Sequence, residues 1–216
     1  MNLLFDYDGT LHECGRIYCA AFRRVDRQLT QAGKVPPRER SDAEIVRWLG
    51  YGARDMWEDY APRLSASEKE QGSAVIGQEM LCSIAAGEAR LYPHTEEILD
   101  RLKVAGHALI FLSNCKTAYL EAHRQHFQLD RWFTAYYCTE MYDWQPKTAV
   151  FPRIRAEHPG NYVVIGDRFH DMEVARQFAL PSVGCLYGYG SSKELADASA
   201  CISCIDELPE TIQRLG

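Results

Sequence analysis

Short apolar runs that alternate with helical patterns leave this chain few ways to fold. Residues 3–5, 107–112, 135–138, 161–165 and 182–186 read as strands, apolar or β-branched along most of their length. Helical patterns follow at 95–104, closed by Gly106, and at 117–127, 148–156, 171–178 and 208–214; Pro152 sits awkwardly inside the third of these. Strands separated by helices call for crossover connections and hence a parallel sheet. The expected class is α/β, a doubly wound, Rossmann-like parallel sheet.

One long segment breaks this rhythm. Ile17, Ala20, Ala21, Val25 and Leu29 form an apolar stripe with Arg23, Arg24 and Arg27 between them. Ser41 and Glu44 have capping-box spacing ahead of Ile45, Val46, Trp48 and Leu49, and Ser65 opens another helix that runs to about Ala86. No convincing strand occurs in this stretch. The expected organisation is an α/β core over 1–12 and 91–216, with an all-helical cap domain inserted at 13–90.

The 216 residues suffice for such a core and insertion. A formal charge of -6 argues against a nucleic-acid partner, which would need a basic face. No run approaches the roughly 20 apolar residues of a membrane span, and the start Met1-Asn2-Leu3-Leu4-Phe5-Asp6 lacks the basic residues of a signal peptide. Eight scattered cysteines suggest reduced, mostly buried thiols and a cytoplasmic location. Cys201 and Cys204 have redox-motif spacing but no second pair for structural zinc, and read as packing.

In an open α/β sheet, ligands bind beyond the carboxyl ends of the strands. The first strand ends in Asp6-Tyr7-Asp8-Gly9-Thr10, whose carboxylates at i and i+2 start on one face. Such a pair could hold a divalent cation, attack phosphorus or shuttle a proton, or could be a solvated Asx-turn. The second clear strand ends in Ser113-Asn114, which could also be a plain helix cap. Lys147 follows Gln145-Pro146, and the fourth strand ends in Gly166-Asp167-Arg168-Phe169-His170-Asp171. Lys147 alone could be a surface lysine, and Asp171 an acid at a helix start. Their order along one sheet edge favours a shared site.

These residues resemble the haloacid dehalogenase superfamily, whose pattern is DxDGT at a strand end, then Ser or Thr, then Lys, then GDxxxD. The matches are Asp6-Tyr7-Asp8-Gly9-Thr10-Leu11, Ser113, Lys147 and Gly166-Asp167 with Asp171. The place of the insertion resembles the phosphoglycolate phosphatase and β-phosphoglucomutase branch. Gly184-Cys185-Leu186-Tyr187-Gly188-Tyr189-Gly190-Ser191 is similar to the loop after the last motif in phosphatases and 5′-nucleotidases of that branch.

The resemblance implies a Mg²⁺-dependent phosphatase acting on a small phosphorylated metabolite: phosphoglycolate, a sugar phosphate or a nucleoside monophosphate. The charge and the lack of a long apolar run leave neither a nucleic-acid nor a membrane partner expected, and the chain is expected as a monomer or homodimer. Asp6 is then the nucleophile, Asp8 the general acid and base, and Lys147 the charge that offsets Asp6. Mg²⁺ is expected on Asp6, the Asp8 carbonyl and Asp167, with Asp171 orienting a metal-bound water or Lys147. Ser113 and Asn114 are expected to bind phosphoryl oxygens. Thr10 is read as a capping hydroxyl, Arg168 as a surface salt bridge, and His12 and His94 as lying outside the metal site. In the insertion, Gly50-Tyr51-Gly52-Ala53-Arg54 is the candidate for substrate choice, Arg54 meeting a second anionic group or facing outward. A phosphomutase that returns the phosphoryl group to its substrate, and a silent phospho-ligand binder, are the alternatives. Dehalogenation is disfavoured, since it needs no metal acids.

Overall fold

Leu3, Leu4 and Phe5 are buried to within 2% in the computed structural model, which describes residues 1–216. They belong to β1 (Asn2–Phe5), flanked on both sides in a six-stranded sheet. β2 (Ala108–Ser113) and β3 (Phe133–Cys138) lie on one side. β4 (Tyr162–Gly166), β5 (Ser182–Cys185) and β6 (Ala200–Ile202) lie on the other. Every pairing is parallel. The inner strands are apolar on both faces because helices cover both, which explains the lack of alternation in their sequences.

Chain order reverses at β1, where successive strands leave in opposite directions. Phe5 pairs in register with Phe111 of β2 and Ile165 of β4. The three strands therefore end within two residues of one another, at Phe5, Ser113 and Gly166, and Asp6 and Asp167 follow directly on β1 and β4. A switch point of this kind opens a crevice at the strand ends. The fold class expected from the sequence is the one observed.

The chain divides into two compact units, Met1–Glu13 with Leu91–Gly216, and Cys14–Arg90. The first contains the sheet with α5 (Thr95–Val104), α6 (Thr117–His126), α7 (Lys147–Glu157), α8 (Phe169–Phe178) and α9 (Leu208–Leu215), numbered after the four helices of the second unit. Those are α1 (Gly15–Gln31), α2 (Asp42–Val46), α3 (Ala53–Tyr60) and α4 (Ala66–Ala85). Both capping boxes form, Ser41 with Glu44 and Ser65 with Glu68. Ile17, Phe22 and Val25 of α1 and Ile76 and Met80 of α4 are buried in this unit.

The differences from expectation have local causes. α2 stops at Val46 because the next amides bond three residues back, Trp48 to Ile45 and Leu49 to Val46, so the helix tightens into a turn. β6 was not expected: it is a three-residue edge strand whose Cys201 is exposed, so no apolar run marks it. Cys82, Cys201 and Cys204 are exposed rather than buried, while the other five cysteines are buried, and all eight are free thiols. No helix is long and apolar enough to cross a membrane.

Candidate active site

Asp6 is the first residue past β1, and its amide donates to the Ile165 carbonyl at 2.9 Å, extending the ladder by one step. Its side chain is only 8% exposed. Lys147, the first residue of α7, places Nζ 2.5 Å from Asp6 Oδ1 and 2.7 Å from Asp171 Oδ1. Asp171 lies in the first turn of α8, and its Oδ2 also accepts from the Arg168 amide at 3.2 Å. It thus serves the helix start and orients Lys147 as well. Asp167 follows β4 and is fully buried.

The cluster is short of positive charge. Oxygens of Asp6, Asp167 and Asp171 lie within 4.8 Å of one another around one ammonium. Burial pushes Asp6 up to about 7, Asp171 and Asp8 adding repulsion while Lys147 opposes the rise. Burial raises Asp167 well above the ordinary range, with Asp6 and then Asp171 adding to it. Burial would lower Lys147, but Asp171 and then Asp6 outweigh it and hold the ammonium charged.

Thr10 proves to be more than a cap. It is fully buried, with its hydroxyl 3.4 Å from Asp6 Oδ2 and 3.5 Å from Asp167 Oδ1, long for O–H···O bonds. Two buried carboxylate oxygens therefore converge on one weak donor. A set of hard oxygen ligands carrying excess negative charge fits a divalent cation such as Mg²⁺.

The backbone makes room for this arrangement. Gly9 has φ +90°, and a Cβ there would lie 2.2 Å from Asp167 Oδ2. The loop following β5 closes over the same carboxylate: the Tyr189 amide donates to Asp167 Oδ2 at 2.6 Å, and a Cβ on Gly190 would lie 1.8 Å from the Asp167 carbonyl oxygen. Arg168 anchors that loop. Expected on the surface, it is instead 3% exposed, with Nε 2.9 Å from Glu194.

Asp8 stands apart from the lysine cluster. His12 Nδ1 and the Tyr119 hydroxyl both approach its Oδ1 at 2.8 Å. Burial would raise this carboxyl, yet the hydrogen bond and charge of His12, with His123 and Tyr119, hold it below its ordinary value. Ser113 ends β2 and is 2% exposed, and Asn114 beside it is half-buried. The first amide of α6 donates to Glu140 at 2.7 Å.

The first unit thus collects Asp6, Asp8, Ser113, Asn114, Lys147, Asp167 and Asp171 at the ends of β1, β2 and β4 and the starts of α7 and α8. Arg54 belongs to the second unit, exposed in the first turn of α3 where its charge favours the ionised form of Glu58. His94 is exposed and pairs with Asp206 at 2.8 Å. His12 was expected only to lie outside the metal site, not to bond Asp8, and Tyr119 and His123 were not anticipated. Two signals could have found them: His12 lies four residues beyond Asp8, and Tyr119 and His123 share one face of α6.

The haloacid dehalogenase-like hydrolase family model matches residues 1–179. The chain belongs to the haloacid dehalogenase-like hydrolase family, as its motif residues implied, and is an enzyme of that class. It is 29% identical over 213 residues to the 5′-nucleotidase of Pseudomonas aeruginosa, covering 95% of this chain and 91% of that one. It is 25% identical over 193 residues to the phosphoglycolate phosphatase of Agrobacterium fabrum, covering 86% and 80%. The fold matches that of a haloacid dehalogenase-like family hydrolase from Streptococcus pneumoniae with a TM-score of 0.80 over 98% of each chain, at 20% identity.

Proposed function

We propose that this enzyme is a Mg²⁺-dependent phosphatase that hydrolyses a small phosphate monoester through an aspartyl-phosphate on Asp6. The observation that carries this reading is the pair of differently treated carboxylates. Asp6 is bound by a buried ammonium beside two further carboxylates, while Asp8, two residues on, is held by His12 and Tyr119. Their different surroundings fit different roles, Asp6 beside the ammonium as nucleophile and Asp8 apart from it as the group that handles the proton.

Asp6 attacks phosphorus, and the bond from phosphorus to the ester oxygen breaks. Asp8 gives its proton to the departing oxygen. Water then attacks the phosphorus of the acyl phosphate and passes a proton to Asp8, which frees phosphate and restores Asp6. Lys147 offsets negative charge on Asp6 and on the group being transferred. Ser113 and the Asn114 amide hold phosphoryl oxygens, and Asp171 keeps Lys147 aimed. Asp6, the Asp8 carbonyl and Asp167 would hold Mg²⁺, which would supply the positive charge that lets a dianionic ester approach a carboxylate.

The relatives named above support a substrate among nucleoside monophosphates and short phosphorylated acids, with sugar phosphates also open. In this reading the Cys14–Arg90 unit is the helical cap and Arg54 its candidate contact for a second anionic group. The test is phosphate release from a panel of such esters, with and without Mg²⁺, by the wild type and Asp6→Asn. Metal-dependent release that disappears in the variant is expected. Equal release by both proteins overturns the assignment of the nucleophile. Conversion of a sugar phosphate to its isomer without release points instead to a mutase.

A further inference from the structure

We propose that His12 and Tyr119 are positioning residues that hold Oδ1 of Asp8 as a fixed acceptor and so reserve Oδ2 for the leaving group and for water. This rests on the phosphatase reading above and adds to it which oxygen acts and what selects it.

Three observations support the assignment. The first is that both donors meet the same oxygen: His12 Nδ1 and the Tyr119 hydroxyl each lie 2.8 Å from Asp8 Oδ1 and 3.3 Å from each other. The Asp8 side chain is 18% exposed, and the bonds from His12 and Tyr119 both fall on Oδ1. A carboxyl group gripped at one oxygen cannot turn over, so its two oxygens are no longer equivalent.

The second observation is that the donors are themselves held. His12 is fully buried, with its backbone tied into the Asp8 turn by bonds from Gly9 N to the His12 carbonyl and from His12 N to the Tyr7 carbonyl, each 3.0 Å. Its ring stacks on Tyr7 at 5.4 Å and meets His123 edge-on at 4.3 Å. Tyr7 in turn bonds His123 Nδ1 through its hydroxyl at 2.9 Å. Tyr119 lies on α6, an element separate in sequence, so the two donors reach Asp8 from different directions.

The third observation concerns what His12 does not do. Its Nε2 is buried without any hydrogen-bond partner, as is Nε2 of His123. A buried polar atom left unpaired is unfavourable, and an apolar side chain would fill the space without that cost. What this imidazole provides that an apolar residue would not is the bond at Nδ1, which goes to Asp8.

General acid catalysis requires the proton within hydrogen-bond reach of the departing oxygen, and it matters most when that oxygen is a poor leaving group. An alkyl ester such as phosphoglycolate depends on the proton, whereas the phenolate of p-nitrophenyl phosphate departs almost without it. kcat/KM stops at the first irreversible step and so excludes the later attack by water.

The experiment compares kcat/KM on these two esters, with Mg²⁺ present, for the wild type, Tyr119→Phe, His12→Leu, His12→Asn and Asp6→Asn. Tyr119→Phe and His12→Leu are expected to lose about 10- to 100-fold on phosphoglycolate and less than about 3-fold on p-nitrophenyl phosphate. His12→Asn, whose amide can donate from near the Nδ1 position, is expected to recover most of the loss. Should His12→Leu fold poorly, Tyr119→Phe removes a single hydroxyl and gives the same readout. A uniform fall on both esters, or no fall on either, overturns the positioning role while an active wild type and a dead Asp6→Asn leave the phosphatase reading standing. A wild type that hydrolyses neither ester nor any other overturns both together.

Discussion

Lys147 Nζ lies 2.5 Å from Asp6 Oδ1 in a place where neither group meets much solvent. A lysine at a helix start would ordinarily be solvated. Here the chain spends it on neutralising one carboxylate beyond β1 and another on α8, and Asp167 remains without an ammonium of its own.

Removing that ammonium should damage both stability and activity. In Lys147→Met, Asp6 and Asp171 lose their buried partner, and we expect a loss of about 3 kcal/mol in metal-free protein. Activity should fall at least about 100-fold. Lys147→Arg should not restore it, because a planar fork does not replace a point charge held between two oxygens. Thermal unfolding and phosphate release read the two effects separately.

The cluster sets a pH dependence of stability. Asp6 is raised to about 7 in the folded chain, so between about pH 4 and pH 7 the folded state binds more protons than the unfolded one. Metal-free stability should therefore fall as pH rises through that window. Mg²⁺ should reverse the trend by favouring the ionised carboxylates, raising Tm more at pH 7.5 than at pH 5. Asp167→Asn should raise the metal-free Tm near pH 7 and remove most of the response to Mg²⁺. Scanning calorimetry with chelator and with Mg²⁺ checks each point.

Gly9 is required twice, by its φ of +90° and by the 2.2 Å that a Cβ would leave to Asp167. Gly9→Ala should cost about 2 kcal/mol in backbone strain and displacement. It should also weaken Mg²⁺ about 10- to 100-fold by moving a carboxylate ligand. Calorimetric titration with Mg²⁺ measures this, and unchanged affinity would count against Asp167 as a ligand.

The sequence carried much of this arrangement because its decisive signals are local. Leu3, Leu4 and Phe5 leading into Asp6 mark a buried strand that ends in chemistry, and Ser41 with Glu44 marks a helix start. Less was legible where meaning depends on a distant partner. Tyr119 meets Asp8 across 111 positions, and no spacing rule spans that distance. Arg168 read as a surface charge because Glu194, which pairs with it in the interior, lies 26 residues away. β6 is too short and too exposed at Cys201 to leave an apolar pattern.

The Arg168–Glu194 pair can be weighed by a double-mutant cycle. Glu194→Gln leaves the Arg168 guanidinium buried beside a neutral partner and should cost about 2 kcal/mol, whereas an exposed pair is worth under about 1 kcal/mol. Arg168→Met combined with Glu194→Gln should recover part of the loss. Additive losses would show that the two side chains act independently.

In the proposed reaction Asp6 carries the phosphoryl group. The most direct measurement is rapid acid quench of the enzyme with a turned-over ester and Mg²⁺, followed by peptide mass spectrometry. A phosphoryl group is expected on the peptide bearing Asp6, acid-stable and alkali-labile as acyl phosphates are, and absent in Asp6→Asn. A leaving-group burst equal to the enzyme concentration, with phosphate on another residue, would contradict it.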